Sequence, residues 1–428
     1  MHSKRPRATL KTLPLALVAF VLALALTGCG HPSGEPWEGG AIPPASATLG
    51  TDLGLGSGVR PLSFGPGDKS SPRVSPSGER VAFVLDGYVV EKPLYGQNLQ
   101  LKTSTGFGAE QAEWLSDESL AALKSENETA SGGASVVPAP GTLFGTMRDS
   151  TPDTSKLLEE VLAAGALPGG EAVAAAVAVE PTTGSPNEQP RSRLVLVRSP
   201  EQPLQVYLRN IKGAVTGLSI SPDGREVALA VRREPGNAGE SRFEVHTYRF
   251  SEGQPRRVTR LPKGMGILGA PQWTSQGIHF VAGEQDDPMT RDASAPHSLF
   301  RIPEGSGTPE PVRGIGEDFI TASISVSPDG DRLAVVGRRN PGSPTNLYVL
   351  DLASDTLEAA TTNQNMEIKT NPRDLAWSPD GQSVVLISRG ALSGPGVYDS
   401  PASNLSSAFY NLYEVPVTDL SAGEETEG

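Results

Sequence analysis

Cysteine is almost absent from this sequence: Cys29 stands alone among 428 residues. No intramolecular disulfide can form, so the fold must rest on packing. Aromatic residues make up only 5% of the chain and there are five histidines, leaving few rings for stacking and few imidazoles for metal binding. Positive charge is scarce too. Lys and Arg total 36 against 49 Asp and Glu, a formal charge of −13, and no basic block lies beyond the first dozen residues. Phosphate backbones demand clustered cations, which argues against nucleic acid as a partner.

Long apolar runs are missing as well, with one exception. Leu13 to Leu26 is interrupted only by Pro14 and follows the basic residues Lys4, Arg5, Arg7 and Lys11. The run is short for a bilayer span and small residues follow it, which is the pattern of a secretory signal. Its end, Leu26-Thr27-Gly28-Cys29, resembles the lipobox of bacterial lipoproteins. That resemblance implies removal of residues 1–28, acylation of Cys29 as the mature N-terminus, and attachment to a membrane of the bacterial envelope on its extracytoplasmic side. More than one acyl chain on a residue gives stable anchoring. Residues 29–58, rich in Gly, Pro, Ser and Ala, cannot bury enough apolar surface to offset their chain entropy and read as a flexible tether. Residues 419–428 read as an acidic tail.

Between them, residues 59–418 carry a repeat. Ile220-Ser221-Pro222-Asp223-Gly224 precedes the apolar run Val227 to Ala230, and the pattern returns at Val74–Gly78, Val326–Gly330 and Trp377–Gly381. Proline presets its own φ and glycine accepts the positive φ of a tight reversal, so each copy predicts a β-hairpin. Degenerate copies fill the same slot at Trp114–Glu118, Ala166–Gly170 and Trp273–Gly277. The seven hairpins lie 40 to 54 residues apart, the period of a propeller blade. Candidate third strands follow at Asn98–Leu101, Thr142–Gly145, Arg193–Leu196, Arg242–Val245, Ser298–Arg301, Asn346–Val349 and Asn411–Glu414. Fourth strands are weaker, as at Arg256–Thr259 and Glu310–Arg313, and the first unit has room only for a short one or none. Nothing after Val417 supplies an outer strand for the last unit, whereas Val59–Phe64 does. The expected fold is all-β: a β-propeller of seven blades, with six or eight as alternatives, closed by an N-terminal strand in the last blade. These Ser-Pro-Asp-Gly hairpins resemble the WD40-like β-propeller repeats of TolB-type proteins, a resemblance that implies a fold and says little about function.

Candidate chemistry is sparse. No Gly-x-Ser-x-Gly nucleophile elbow occurs, and His246, His279 and His297 fall on or beside strands of different units without metal-ligand spacing. His279, between Ile278 and Phe280, reads as a strand-face histidine; Glu284-Gln285-Asp286-Asp287 reads as a solvated loop. Trp114, Trp273 and Trp377 share one repeat position and read as packing between blades. Lys156 to Leu162 has helical spacing, yet an outer strand or short insertion also fits there. The expectation is a non-enzymatic envelope lipoprotein, without cofactor or metal, that binds a protein partner of the envelope. The alternative is a carbohydrate or small-ligand receptor, or an enzyme, with its site at the channel mouth. Acids and aromatics gathered there would favour the alternative, and bare hydrophobic or acidic loop surfaces a protein partner.

Overall fold

The structure is a computed structural model that describes residues 59–418 apart from 64–65, 97, 105–106, 126–140, 148–153, 180–189, 199–203, 234–241, 253, 285–296, 317, 363–365 and 391–409. Cys29, the tether, Phe64, Gln285–Asp287 and the acidic tail lie outside the described residues.

The hairpins form as their chemistry dictates. In the fourth unit Ser221 Oγ accepts from the N–H of Glu226 at 2.9 Å and donates to Asp223 Oδ1 at 2.6 Å, while Gly224 takes φ 71°. Asp223 in turn accepts the N–H of Arg225 at 3.1 Å. The same arrangement recurs around Ser327 and Asp329 and around Ser378 and Asp380. The motif's serine and aspartate are therefore occupied in holding the turn.

The second strand of each unit is a continuous apolar run because units pack on both of its faces. In Glu226–Arg233, Val227, Leu229 and Val231 join the core shared with the third unit. Ala228 and Ala230 face the fifth, against Phe280 and Ile278. Large residues on one face and small ones on the other let neighbouring sheets interdigitate.

The strands pair antiparallel in six sheets, of which one has seven strands. That sheet is two units in one. Thr154–Ala166 pairs with Gly141–Met147 through its first half and with Val173–Val179 through its second, so one strand is outermost in the second unit and innermost in the third. The helical spacing of Lys156 to Leu162 is thus overridden by pairing on both sides. Read this way, the sheets resolve into seven units of four strand positions. Their inner strands neighbour one another in a closed circuit from Lys69–Val74 round to Leu375–Trp377.

Arg60–Pro61 pairs with Asn411–Pro416, so the N-terminal strand lies in the last unit. Leu62 N–H donates to Leu412 O at 2.8 Å and the Leu62 side chain is buried. One strand assignment differs from expectation. Asn98–Leu101 is not the third strand of the first unit; Gln100–Leu101 is its two-residue fourth strand, and Tyr88–Pro93 is the third. Asp86 and Gly87, at φ 48° and 81°, make a two-residue turn of the type that fits strand twist, and so bring the chain back earlier than in other units.

Candidate functional site

The inner strands enclose a central cavity of about 1920 Å³. Its two ends differ in construction. At the hairpin end stand Pro76, Pro168, Pro222, Pro328 and Pro379. Each faces the glycine of another hairpin: Pro76 with Gly170, Pro168 with Gly224, Pro222 with Gly330, Pro328 with Gly381 and Pro379 with Gly78. A methyl group added to Gly330 would lie 3.0 Å from Pro222 Cγ, and one on Gly170 would overlap Pro76. These contacts form a closed circuit of five hairpins. The second and fifth units, whose hairpins have Ser116 and Ser275 near the proline slot, are bypassed and instead bond from outside, Asp117 accepting from Ser77 N–H and Ser275 N–H donating to Gly330 O. A ring of five inside a frame of seven narrows this end.

A strap also crosses the cavity. The inner strand of the last unit is split into Met366–Ile368 and Leu375–Trp377, and Lys369–Asp374 leaves the sheet between them. On the near side Asp374 Oδ1 accepts the N–H of Ser71 at 2.7 Å, and Arg73 Nη1 donates to Arg373 O at 3.0 Å. On the far side Pro372 meets Gly269 of the fifth unit so closely that an added methyl group there would be 2.7 Å from Pro372 Cβ. Gly269 has φ 74° and sits in a bulge where Leu268 and Gln272 are out of register with the next strand. Sequence reading missed this strap. Asn371-Pro372 was the available signal, because an Asn-Pro step inside a strand slot marks a turn.

Charge gathers on one arc of the wall, from the last, first and second units. Lys369 Nζ lies 2.8 Å from Asp68 Oδ1, Arg73 Nε 2.8 Å from Glu113, and Arg373 Nη1 3.7 Å from Glu110. The Tyr410 ring has Lys369 Nζ at 4.5 Å and Arg389 at 4.8 Å from its centroid, and its hydroxyl donates to Glu367 at 2.6 Å. Burial opposes ionisation of Glu367, yet the hydrogen bonds from Tyr410 and Arg389 hold its carboxyl below the ordinary value. Burial and the bond to Glu367 push the Tyr410 phenol up. Burial likewise raises the Asp374 carboxyl. The opposite arc presents Ala163, Gly165, Gly217, Gly269, Ala322 and Ile324, with fewer charged groups, Glu284 and His297 of the fifth unit among them.

The histidines divide. His297 and Glu284 line the cavity, while His279 and His246 are buried within units. His279 Nδ1 lies 3.1 Å from Thr274 Oγ1, as a strand-face histidine would. The tryptophans pack between units: Trp114 Nε1 donates to Arg73 O at 3.0 Å, and Trp377 Nε1 to Ser325 O at 2.8 Å. Among the described residues no group of three or more His, Cys, Asp and Glu gathers to hold a metal, and no helix is long and apolar enough to cross a membrane.

No family model matches this chain, and no curated protein sequence matches it. Solved structures do. The β-propeller domain of the Trilobed protease from Pyrococcus furiosus superposes with a TM-score of 0.50 at 11% identity, covering 84% of this chain and 99% of that one. An oligogalacturonate lyase, solved in complex with manganese, gives 0.50 at 12% identity over 84% and 93%. A putative TolB from Agrobacterium tumefaciens gives 0.40 at 14% identity over 82% and 91%. The chain spans 33% of the tricorn protease, which it also matches. One expectation is corrected by these likenesses: oligogalacturonate lyase is an enzyme on this fold, so the propeller gives no ground for the expectation that the chain is not an enzyme. Identities of this order show the fold alone, and the fold they show is the all-β propeller.

Proposed function

We propose that this protein is a lipid-anchored binding protein of the bacterial envelope that takes a saccharide or similarly hydroxylated ligand into its central cavity. The observation that carries this reading is the two-sided wall. An arc of paired acids and bases with Tyr410 faces an arc richer in small residues and poorer in charge, which supports room for a ligand and one side on which to orient it. Carboxylates and guanidiniums have more lone pairs and N–H donors than their mutual bonds use, and the spare ones can bond ligand hydroxyls without breaking the pairs. Narrowing of the hairpin end by the proline ring favours entry from the end where the inner strands begin.

Thermal shift against a panel of mono- and oligosaccharides tests the site. A saturable rise in Tm that Glu367→Gln or Tyr410→Phe abolishes supports it. No shift with any saccharide, together with a single envelope protein crosslinked to the propeller, would replace this reading by that of a scaffold. The anchor is tested separately: Cys29→Ser should end lipid labelling and release the protein from the membrane fraction, and unchanged attachment after signal cleavage would remove the lipid.

A further inference from the structure

The fourth unit carries positive charge against the grain of the chain. Its outermost strand reads Arg256-Arg257-Val258-Thr259-Arg260, and Arg256, Arg257 and Arg260 are exposed. Beneath them Glu244, wholly buried, accepts from Arg260 Nε at 2.8 Å, from Arg233 Nε at 2.9 Å and from His246 Nε2 at 2.9 Å. Arg257 Nη1 stands 3.6 Å away. Register explains the convergence: Arg260 is opposite Glu244 and Arg257 opposite His246 on the paired strands.

The local charge does not cancel. Burial opposes the ionised form of Glu244, but its hydrogen bonds from His246, Arg233 and Arg260 hold it at about 2, so it is an anion throughout the physiological range. Burial lowers His246, which keeps the imidazole neutral at pH 7. Among the described residues three guanidiniums therefore surround one carboxylate, an excess of two positive charges. The carboxylate occupies one face of the guanidiniums and orients them; their side chains remain 26% exposed at Arg233, 53% at Arg257 and 47% at Arg260. His246 Nδ1, on a side chain 7% exposed, has no hydrogen-bond partner.

A planar guanidinium offers donors as a fork that suits tetrahedral oxyanions, and several held in place by one buried acceptor present those donors without further ordering cost. We propose that Arg233, Arg257 and Arg260 form an anion site on the outer edge of the fourth unit, and that it takes a phosphate group. A free phosphate dianion would balance the excess charge of the described residues, and a lipid phosphodiester, a monoanion, would balance half of it. The phosphate is either free or the headgroup of a lipid, since this edge lies on the outside of the propeller.

Titration of the full chain with inorganic phosphate by calorimetry, and its flotation with vesicles of phosphatidylcholine alone or with one-fifth phosphatidylglycerol, separates the two sources. Arg257→Gln is the informative variant because Arg257 is the guanidinium farthest from Glu244 and the most exposed. Saturable phosphate binding weakened about tenfold by Arg257→Gln, the loss of one hydrogen bond to a charged group, supports the site. Arg225→Gln, at an arginine 82% exposed on the hairpin of the same unit, should leave binding unchanged. Extra retention on the phosphatidylglycerol vesicles that Arg257→Gln removes assigns a lipid headgroup; phosphate binding without it assigns a free phosphate. No saturable phosphate binding and no Arg257-dependent retention on vesicles would overturn the proposal, as would equal weakening by Arg225→Gln.

Discussion

The carboxylate of Asp374 in the last unit accepts the backbone N–H of Ser71 in the first at 2.7 Å, and this bond ties the strap to the seam where the ring closes. The paired strands Arg60–Pro61 and Asn411–Pro416 close the ring from outside. Strap and strand act on the same junction from opposite ends of the sheet.

Asp374 sets a pH dependence. Burial raises its carboxyl above the ordinary 3.8, against the pull of the Ser71 bond and of Lys369 and Arg73. The folded value exceeds the unfolded one, so this group's contribution to stability is fully present below about pH 3.8 and declines as pH rises through the folded value. Asp374→Asn keeps an acceptor for Ser71 and removes the buried charge. Its Tm near neutrality should equal or exceed that of the parent, the difference shrinking toward acid. Asp374→Ala strands the Ser71 N–H and should cost about 1–3 kcal/mol. Urea midpoints at several pH values decide it, and an asparagine variant less stable than the alanine one at neutrality would refute the assignment.

His279 works in the opposite sense. Burial, with Arg301 adding to it, lowers its imidazole from 6.5 to about 3. The unfolded chain takes up a proton that the folded one refuses, so stability is full above about pH 6.5 and falls with acid at up to about 1.4 kcal/mol per pH unit until about 3. In His279→Gln the drop in unfolding free energy between about pH 6 and 4 should be shallower. An unaltered slope would show that the imidazole is not kept neutral.

Ring closure can be tested by truncation and by one side chain. Deleting residues 30–52 should leave Tm unchanged, and deleting 30–66 should lower it sharply because the Arg60–Pro61 ladder and the buried Leu62 are lost. Leu62→Ala should cost about 2–5 kcal/mol. Arg60→Ala, which removes a half-exposed partner of Glu414 at 3.5 Å, should cost less than about 1 kcal/mol. Equal melting temperatures for the two deletions would mean the seam bears no load.

The proline ring is tested by adjacent glycines. Gly169 and Gly170 both have positive φ, 80° and 66°, but a methyl group on Gly169 meets nothing within 4 Å whereas one on Gly170 overlaps Pro76. Gly169→Ala should therefore cost only backbone strain, about 1 kcal/mol. Gly170→Ala should cost about 1–3 kcal/mol more, from the forced shift of Pro76. Equal losses, read by chemical denaturation, would show that the hairpins do not touch.

Much of the propeller was readable because its determinants are local. Ser221, Pro222, Asp223 and Gly224 make their turn from their own hydrogen bonds and φ values, and five of the seven copies retain enough of them to be found. The two copies without proline, at Trp114 and Trp273, keep a tryptophan at the repeat position shared with Trp377, whose role is packing between units. Local spacing is ambiguous where pairing partners decide the state. Lys156 to Leu162 has helical spacing and also fits an outer strand, which pairing on both sides makes it, whereas Tyr88–Pro93 is a third strand that differs from expectation because its turn is two residues long.

The all-β class, hairpin chemistry and the strand that closes the ring were thus determined by the sequence itself, because period, turn residues and apolar alternation act over a few neighbouring residues. The candidate site was decided only by the tertiary structure. Asp374 and Ser71 are 303 residues apart and Pro372 reaches Gly269 across the ring, while Glu244 collects three arginines from two other strands. The first two depend on how seven units pack around one ring and the third on strand register within one sheet, and no periodicity along the chain encodes which residues these bring face to face.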